Sequence, residues 1–272
     1  MLKIKEIVDR FIGEGYSEKN AEARVCQDII LRAIAESSLS RNVTIKGGVV
    51  LRSKTGNSRR ATQDMDIDFI RYSLSDESID LFIHRINCLE GINIVRIGEI
   101  EELSQQDYNG KRVFVKISDS HGNFINSKID IGVHKHLEIE QEEYCFDIAF
   151  NEEGASLLIN SQEQMYVEKL RSLLKFGIFS TRYKDIYDMY YYCDKVNPNK
   201  LQSCLDTYIF NDNGMRENSM KDIVKRIGFI FNNMDYKRRV DYSDKRWLDD
   251  NIDDIFDTIF LFLEMMSKRL IA

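Results

Sequence analysis

The sequence predicts an α+β fold, in which a mixed sheet with flanking helices precedes a C-terminal helical bundle. Up to about residue 150, short segments rich in β-branched and aromatic residues alternate with turn residues, and two helical segments are inserted among them. From about Ser156 onward, these strand-like segments give way to apolar residues at helical spacing. We therefore expect two lobes, residues 1–150 and residues 151–272.

The first lobe is expected to contain an antiparallel-rich sheet. Ser17 is a favourable N-cap for a helix predicted from about Glu18 to Ser37, and a second helix is predicted near Asp76–Cys88. Turn-like residues at Tyr108-Asn109-Gly110 and at Asp119–Asn123 separate the later strands, which predicts antiparallel pairs. The predicted strands are Val43–Ile45, Met65–Ile70, Ile92–Ile97, Arg112–Ile117, Ser127–Val133 and Tyr144–Ile148.

The second lobe is expected to be a bundle of five helices. Pro198, the only proline of the chain, stands where one helix should end and the next begin. The predicted helices are Met165–Phe176, Thr181–Lys195, Asn199–Phe210, Met215–Tyr236 and Asp244–Leu270.

Composition places the chain among folded, soluble proteins. Of its 272 residues, 43% are hydrophobic and 31% are charged. The sequence has neither an apolar run approaching a membrane span nor the apolar core of a signal peptide, so we expect a cytoplasmic protein. Its five cysteines are scattered without a C-x-x-C pair, which favours buried free thiols over a disulfide framework.

The segment from Ile45 to Phe69 carries the strongest chemical signal. Gly47-Gly48 follows a predicted strand and precedes a helix start, where close backbone approach and free amides favour an anion. Three aspartates then alternate with apolar residues, so an extended strand turns the carboxylates to one face and the apolar side chains to the core. Such carboxylates repel one another unless a cation or basic group lies among them. Hard oxygen donors suit Mg²⁺ or Mn²⁺ shared with phosphates.

Several common sites are excluded by spacing. The Walker pattern Gly-x-x-x-x-Gly-Lys-Ser/Thr and the Rossmann pattern Gly-x-Gly-x-x-Gly do not occur. A Ser-His-Asp or Cys-His set cannot be assembled by spacing either. His134 and His136 are expected to be exposed or hydrogen-bonded rather than metal ligands.

These features resemble the nucleotidyltransferase-fold toxins of the AbiEii/AbiGii type, including the MenT-like enzymes of bacterial type IV toxin–antitoxin and abortive-infection systems. Four blocks spanning most of residues 45–188 carry the resemblance, and their order matters more than any one of them. In chain order they are Gly47-Gly48 with Arg59-x-x-Thr62-x-Asp64-x-Asp66, Lys128-Ile129-Asp130-Ile131, Glu168-Lys169-Leu170, and Arg182-Tyr183-Lys184-Asp185-Ile186-Tyr187-Asp188.

The resemblance implies a polymerase-β-like nucleotidyltransferase fold that moves NMP from an NTP to an acceptor and releases pyrophosphate. It implies that Asp64, Asp66 and Asp130 hold one or two Mg²⁺ or Mn²⁺ ions. The helical lobe would then complete the NTP cleft.

The same resemblance implies roles for further residues. The amides of Gly47 and Gly48, together with Lys169, would neutralise the β- and γ-phosphates. Asp185 would be a further essential residue that orients Lys169 or the acceptor. The remaining nucleotide contacts would come from Arg59 and Thr62, which steady the loop or the phosphates, and from Lys184 as a second cation.

The sequence also departs from the family pattern. The gap between Gly48 and Asp64 is long, so the loop Ser53–Arg60 is either a mobile lid or an insertion. Gly48 replaces a serine, which removes a hydroxyl contact and keeps the backbone amide. Asp66-x-Asp68 fits a generic alternating pattern, whereas Asp64-x-Asp66 fits this family, so Asp68 is assigned a secondary role or none.

The acceptor is less well defined. A net charge of −7 argues against a general nucleic-acid binder. One helical stretch is nevertheless basic. It is either a patch that binds the phosphates of tRNA or a solvated helix face whose charge is balanced by the acidic stretch Asp249–Asp257. Its residues are Lys221, Lys225, Arg226, Lys237, Arg238, Arg239, Lys245 and Arg246. Some relatives add nucleotides to tRNA and others are GTP-binding toxins, so tRNA is the first hypothesis.

Three points stay open. The chain is either an active transferase or an NTP-binding sensor or interaction module without turnover, and the acceptor is either RNA or a small molecule of the antibiotic type. An antitoxin is expected but need not bind the protein directly.

Clustered tyrosines at residues 183, 187, 190, 191 and 192 are expected mainly in the core, although one that reaches the site would suffice to stack a base.

Overall fold

The strand-forming segments of the first 160 residues assemble into a seven-stranded sheet in the computed structural model, which describes residues 2–103 and 110–269. The strand order is β3-β4-β5-β2-β1-β7-β6. The strands are β1 (Val43–Lys46), β2 (Met65–Phe69), β3 (Ile92–Leu103), β4 (Gly110–Asp119), β5 (Phe124–Val133), β6 (Glu142–Ile148) and β7 (Asn151–Ile159).

Two parallel pairings make the sheet mixed, as predicted. β2 pairs parallel with β5, and β1 pairs parallel with β7. β1 and β2 are antiparallel to each other, and β3–β4, β4–β5 and β6–β7 are antiparallel pairs of consecutive strands. β1 and β2 are therefore interior strands, each with a neighbour on both sides.

Four helices accompany this sheet in the described part of the chain: α1 (Ile4–Gly13), α2 (Glu18–Glu36), α3 (Gly48–Thr55) and α4 (Asp76–Ile86). α2 packs on β5, β6 and β7, and its Val25 and Ile29 are fully buried, as are Ile45 and Ile67 of the sheet. The start of α3 matches the helix start predicted after Gly48. α1 was not predicted.

The rest of the chain is helical, as predicted. α5 packs against α6 and α7, and α10 packs against α6 and α8. The helices are α5 (Gln162–Phe176), α6 (Tyr183–Tyr192), α7 (Pro198–Leu205), α8 (Met220–Phe231), α9 (Met234–Asp241) and α10 (Ile252–Arg269). A π-helical turn, Asp206–Phe210, continues α7.

The chain divides into two compact units between Asn160 and Ser161, whereas the sequence placed the boundary after residue 150. The difference arises from β7, which the sequence did not predict because its first residues, Asn151-Glu152-Glu153-Gly154, are acidic and end in glycine. Pairing with β6 and β1 overrides this weak local preference. Asn160 still belongs to the sheet unit, since its amide donates to the carbonyl of Ile45 over 3.1 Å.

Two predicted helices have different limits. The helix predicted over Met215–Tyr236 is two helices, because the side chain of Asn233 accepts from the amide of Tyr236 at 2.8 Å and caps a new start. The last helix begins at Ile252 rather than Asp244, since Arg246 donates to the carbonyls of residues 248 to 250 and holds that segment as a loop. The predicted end at Leu270 and the turn residues Tyr108 and Asn109 lie outside the described residues.

Within the described ranges, no helix is long and apolar enough to cross a membrane. The five cysteines are free thiols, as predicted. Cys26 and Cys204 are buried, but Cys88 and Cys145 are exposed, so the expectation that all five are buried was wrong.

The sheet should be sensitive to substitution at Gly154 in β7. This residue has a φ of 70°, and a Cβ atom there would lie 2.5 Å from the carbonyl oxygen of Phe146 on β6. We expect Gly154→Ala to lower the free energy of unfolding by about 2 kcal/mol or more, because it adds a backbone clash to a left-handed conformation. Thermal unfolding measures the change.

Gly13→Ala is the matched control, because a Cβ at Gly13 meets nothing within 4 Å and its φ is not positive. It should leave the melting temperature unchanged or slightly raised. Equal melting temperatures for Gly154→Ala and the native protein would contradict the close approach of β7 to β6.

Candidate functional site

The turn between β1 and α3 requires glycine at both of its predicted positions. Gly47 has a φ of 66°, and a Cβ there would lie 2.7 Å from Oδ2 of Asp66. At Gly48, a Cβ would lie 2.7 Å from Oγ1 of Thr62. The two glycines therefore let the turn and the N-terminus of α3 lie directly against a carboxylate and a hydroxyl.

The alternation predicted for β2 is confirmed. Met65, Ile67 and Phe69 are fully buried in the core, whereas Asp66 is only partly buried. In the parallel pairing of β2 with β5, Asp66 is the register partner of Asp130, so the two carboxylates start from the same face of neighbouring strands. This adjacency agrees with the expectation that the strand around Asp130 lies beside the Asp64-x-Asp66 strand.

Basic side chains lie among these carboxylates. Lys128 is 2.7 Å from Asp64, and Arg112 donates through two nitrogens to the two oxygens of Asp130, each over 2.8 Å. The hydrogen bond with Asp130 raises the pKa of Arg112 above its ordinary value. The carboxylates therefore have nearby positive charge in the absence of any ion.

Asp68 belongs to a separate buried pair. Lys46 of β1 donates to Oδ1 of Asp68 over 2.6 Å, and both residues are buried. Lys46 is also the register partner of Asp66, so it starts from the same sheet face. This buried ion pair gives Asp68 a structural partner.

The sequence identified the aspartates but not their cations. Lys128 stands in a quoted motif and Lys46 directly precedes Gly47-Gly48, both without an assigned role, and Arg112 is only the first residue of a predicted strand. Arg112 is opposite Asp130 in the β4–β5 pairing. That relation depends on strand register, which local sequence does not reveal.

The donor atoms suit a divalent cation, but they are not gathered around one. Carboxylate oxygens are the correct hard ligands, and Asp66 and Asp130 are neighbours in register. Over residues 2–103 and 110–269, however, no three His, Cys, Asp or Glu side chains are close enough to hold a metal ion. Asp130 and Asp64 contact Arg112 and Lys128, and the metal site of Asp64, Asp66 and Asp130 stays a prediction.

The loop that carries Thr62 and Asp64 is anchored from α2. The buried side chain of Gln27 donates to the carbonyl of Thr62 over 2.9 Å and to that of Asp64 over 3.4 Å. Arg59 is exposed, whereas its neighbour Arg60 is buried. Gln27 is therefore a supporting residue that the sequence analysis missed, since an isolated glutamine on a helix carries no motif.

The helical unit contains a second charged cluster, built around Lys169 of α5. Its ammonium is 3.0 Å from Asp185 and 2.8 Å from Asp188, both on α6. Arg182 donates to the other oxygen of Asp185 over 2.6 Å, and the indole of Trp247 donates to Asp188 over 3.0 Å. Lys169, Asp185, Asp188 and Trp247 are all buried.

This cluster brings together two predicted residues, Lys169 and Asp185, and adds two that were not assigned a role. Two basic groups, buried Lys169 and exposed Arg182, face two buried carboxylates, so the charges of the cluster as a whole balance. Asp188 stands in the quoted motif, whereas Trp247 is distant in sequence and gave no signal. Lys184, the other predicted cation on α6, is partly exposed.

Two of the five clustered tyrosines lie in the core, and the other three are partly exposed. Tyr187 and Tyr192 are fully buried, and the Tyr187 hydroxyl donates to the carbonyl of Val240 over 2.9 Å. Burial raises the pKa of Tyr187 to about 12. Tyr183, at the start of α6, is one of the three that are partly exposed.

The basic stretch of residues 221–246 is partly neutralised. Lys237 pairs with Asp253, Arg246 with Asp241 and Lys245 with Asp244. The hydrogen bond from Lys245 lowers the pKa of Asp244. Arg238 and Arg239 of α9 are exposed, as are Lys221 and Lys225 of α8, and the guanidinium of Arg238 lies 4.0 Å from the carboxylate of Asp235.

The chain is similar to proteins of a known family. Residues 29–254 match the family of the nucleotidyl transferase AbiEii toxin of the type IV toxin–antitoxin system. No curated protein sequence matches the chain.

Two solved structures share the fold. One is MenT4, a nucleotidyltransferase toxin from Mycobacterium tuberculosis H37Rv, with a TM-score of 0.53, 14% identity, and coverage of 98% of this chain and 100% of that one. The other is JHP933 from Helicobacter pylori, with a TM-score of 0.52, 14% identity and coverage of 94% of both chains. At this identity the likeness shows the fold alone.

The family match covers the glycine turn, the paired aspartates and the Lys169 cluster in one continuous span. The chain therefore belongs to the AbiEii family of nucleotidyltransferase toxins of type IV toxin–antitoxin systems.

Proposed function

We propose that the protein moves NMP from an NTP to a hydroxyl of an RNA acceptor, with tRNA as that acceptor, and releases pyrophosphate. The observation that carries the proposal is the contact surface of the β1–α3 turn. Its backbone lies against Asp66 and Thr62 so closely that neither glycine tolerates a Cβ, and Asp66 is paired in register with Asp130. A turn that presents amides beside carboxylates is suited to a metal-bound phosphate.

We assign the metal site to Asp64, Asp66 and Asp130. A bound Mg²⁺ or Mn²⁺ would neutralise phosphate charge and lower the pKa of the acceptor hydroxyl. Because Arg112 occupies both oxygens of Asp130 and Lys128 contacts Asp64, these ion pairs must be exchanged when the cation binds. The released arginine and lysine remain available to phosphate oxygens.

The remaining assigned residues act by position and charge. The amides at Gly47 and Gly48 would donate to the triphosphate, and Thr62 would hold the turn, since its hydroxyl is adjacent to Gly48. Arg59 is exposed and would contact the phosphates or steady the loop. In the helical unit, Lys169 would contact the β- and γ-phosphates, Asp185 would orient it, and Lys184 would add a second cation.

As a toxin of this kind, the protein would act in the cytoplasm, where NTPs and tRNA are found. An antitoxin would restrain it without the need for direct contact. Growth arrest upon expression, and its loss in a site variant, would follow from transfer of nucleotides to tRNA.

Label transfer tests the proposed reaction. Purified protein is incubated with Mg²⁺, total bacterial tRNA and each common NTP radiolabelled at its α-phosphate. We expect label on tRNA with the native protein and at least about a 100-fold lower rate with Asp66→Asn, because a metal ligand is lost. Asp257→Asn, an exposed aspartate of α10, is the control and should transfer at the native rate.

Other outcomes of this assay replace the proposal. Label on the protein itself would indicate self-modification, and label only on an added small molecule would indicate a transferase of the antibiotic type. NTP binding without transfer to any acceptor would identify a sensor.

Arg112 should compete with the metal ion for Asp130. We expect Arg112→Gln to bind Mn²⁺ about tenfold more tightly than the native protein, because a two-point charged pair worth roughly 1–3 kcal/mol no longer opposes binding. Titration of free Mn²⁺ by electron paramagnetic resonance measures the affinity without turnover. Arg96→Gln is the control. Arg96 lies on β3 outside the site, and it also donates to both oxygens of an aspartate, Asp80. An unchanged affinity in Arg112→Gln would contradict the competition.

Trp247 should position Lys169 through Asp188. Trp247→Phe keeps the ring in the core and removes the indole N–H that donates to Asp188. We expect the KM for the NTP to rise about 5- to 10-fold with a smaller change in kcat, because a displaced Lys169 binds the phosphates less well.

The control for stability is Ile255→Val, a fully buried substitution in α10 that costs about 0.5–1.5 kcal/mol. It should leave KM unchanged. The same rise of KM in both variants would assign Trp247 a purely structural role.

A further inference from the structure

A groove with two tyrosines and two arginines lies on the helical unit. It has a volume of about 400 Å³ and is lined by Tyr183, Arg238, Arg239 and Tyr242. This volume falls within the roughly 300–1,000 Å³ of small-ligand sites. We call it the tyrosine–arginine groove.

The lining side chains are presented to solvent. Tyr242 is 82% exposed, and the side chain of Arg238 is 74% exposed. A tyrosine normally buries its ring, so exposure of this degree leaves an aromatic face available for stacking. Exposed rings beside exposed guanidinium groups form the combination that binds the bases and phosphates of single-stranded nucleic acid.

One arginine of the groove also contacts the turn that precedes α6. Arg239 donates to the carbonyl of Ile178 over 2.6 Å, which holds the turn before α6 against α9. The next residue of that turn, Phe179, is 80% exposed. The rings that line the groove are those of Tyr183 and Tyr242, and two rings can stack two successive bases.

The groove adjoins the Lys169 cluster through α6. Tyr183 lies on the first turn of that helix between Arg182 and Asp185, and these two residues bond each other over 2.6 Å. Asp185 in turn holds Lys169. Tyr236 of α9 links the same elements, because its ring centroid is 6.4 Å from that of Tyr183, and burial followed by the charge of Asp185 raises its pKa.

We propose that the tyrosine–arginine groove binds the single-stranded end of the RNA acceptor, with bases stacked on Tyr242 and Tyr183 and phosphates paired with Arg238 and Arg239. The inference rests on the proposed function, in which RNA is the acceptor. The proposed function assigns the triphosphate to Gly47, Gly48 and Lys169 instead.

Fluorescence anisotropy of a fluorescein-labelled, short single-stranded RNA tests the groove on the full-length protein. We expect Tyr242→Ala to weaken RNA binding about 5- to 150-fold, as the loss of one stacked base does, and Tyr242→Phe to keep it within about twofold. Arg238→Gln should lower the slope of log affinity against log salt by about 0.7, the value for one phosphate contact to a single strand. Lys221→Gln makes an equal charge change at an exposed residue of α8. It should leave the slope unchanged beyond a weak general effect.

NTP binding measured on the same variants shows whether the groove binds the RNA acceptor or the NTP substrate. Native NTP affinity in Tyr242→Ala together with weakened RNA binding supports the groove as an acceptor site. Weakened NTP affinity with native RNA binding would overturn it and make the groove a substrate site. Native affinity for both would overturn it outright.

The proposed function fails separately from the groove. If the native protein labels tRNA and Tyr242→Ala binds RNA as the native protein does, only the groove is disproved. If the native protein binds no RNA and labels a different acceptor, both proposals are disproved. The melting temperature of each variant should stay native, because the substituted side chains are exposed.

Discussion

The arrangement of the sheet unit depends on how a row of carboxylates is kept on one face of an interior strand. Asp64, Asp66 and Asp68 emerge from β2 and its approach within one short segment, and Asp130 starts beside Asp66 on the next strand. Carboxylates at this spacing destabilise a fold unless positive charge is close. β1 supplies Lys46 on one side, and β4 and β5 supply Arg112 and Lys128 on the other. The strand order places β2 between these strands, and it therefore also brings the positive charges close to the carboxylates.

The same physical requirement shapes the helical unit. Lys169 is buried on α5, where an unpaired ammonium would be costly, and it is satisfied by two carboxylates of α6. Each carboxylate has a further donor, Arg182 or Trp247, so that no partner depends on Lys169 alone. Such networks fix a side chain in one orientation. A cation that is held in place by exchangeable carboxylates is well suited to receive an anionic ligand.

Glycine provides the second constraint. Gly47 and Gly48 bring backbone within reach of Asp66 and Thr62, and any side chain would force the turn away from them. At Gly48, a Cβ atom would lie 2.7 Å from the side chain of Thr62. In this chain, therefore, the position of the Thr62 loop and the choice of glycine are linked. Gln27 of α2 fixes that loop from the other side.

The local sequence was sufficient for most of the elements and for the motif residues. The period of two around Asp66 identified both the strand and its two faces, and the spacing of the glycines located the turn before α3. The sequence did not reveal the partners of these residues. Arg112 meets Asp130 only through strand register, and Trp247 meets Asp188 only through the packing of the helical unit. β7 escaped prediction because its acidic start has little strand preference of its own and acquires it from β1 and β6. Features that depend on neighbouring residues, such as the alternation in β2, can thus be determined from the sequence. The pairing of charges between distant segments is decided only by the tertiary structure, because folding brings those segments together.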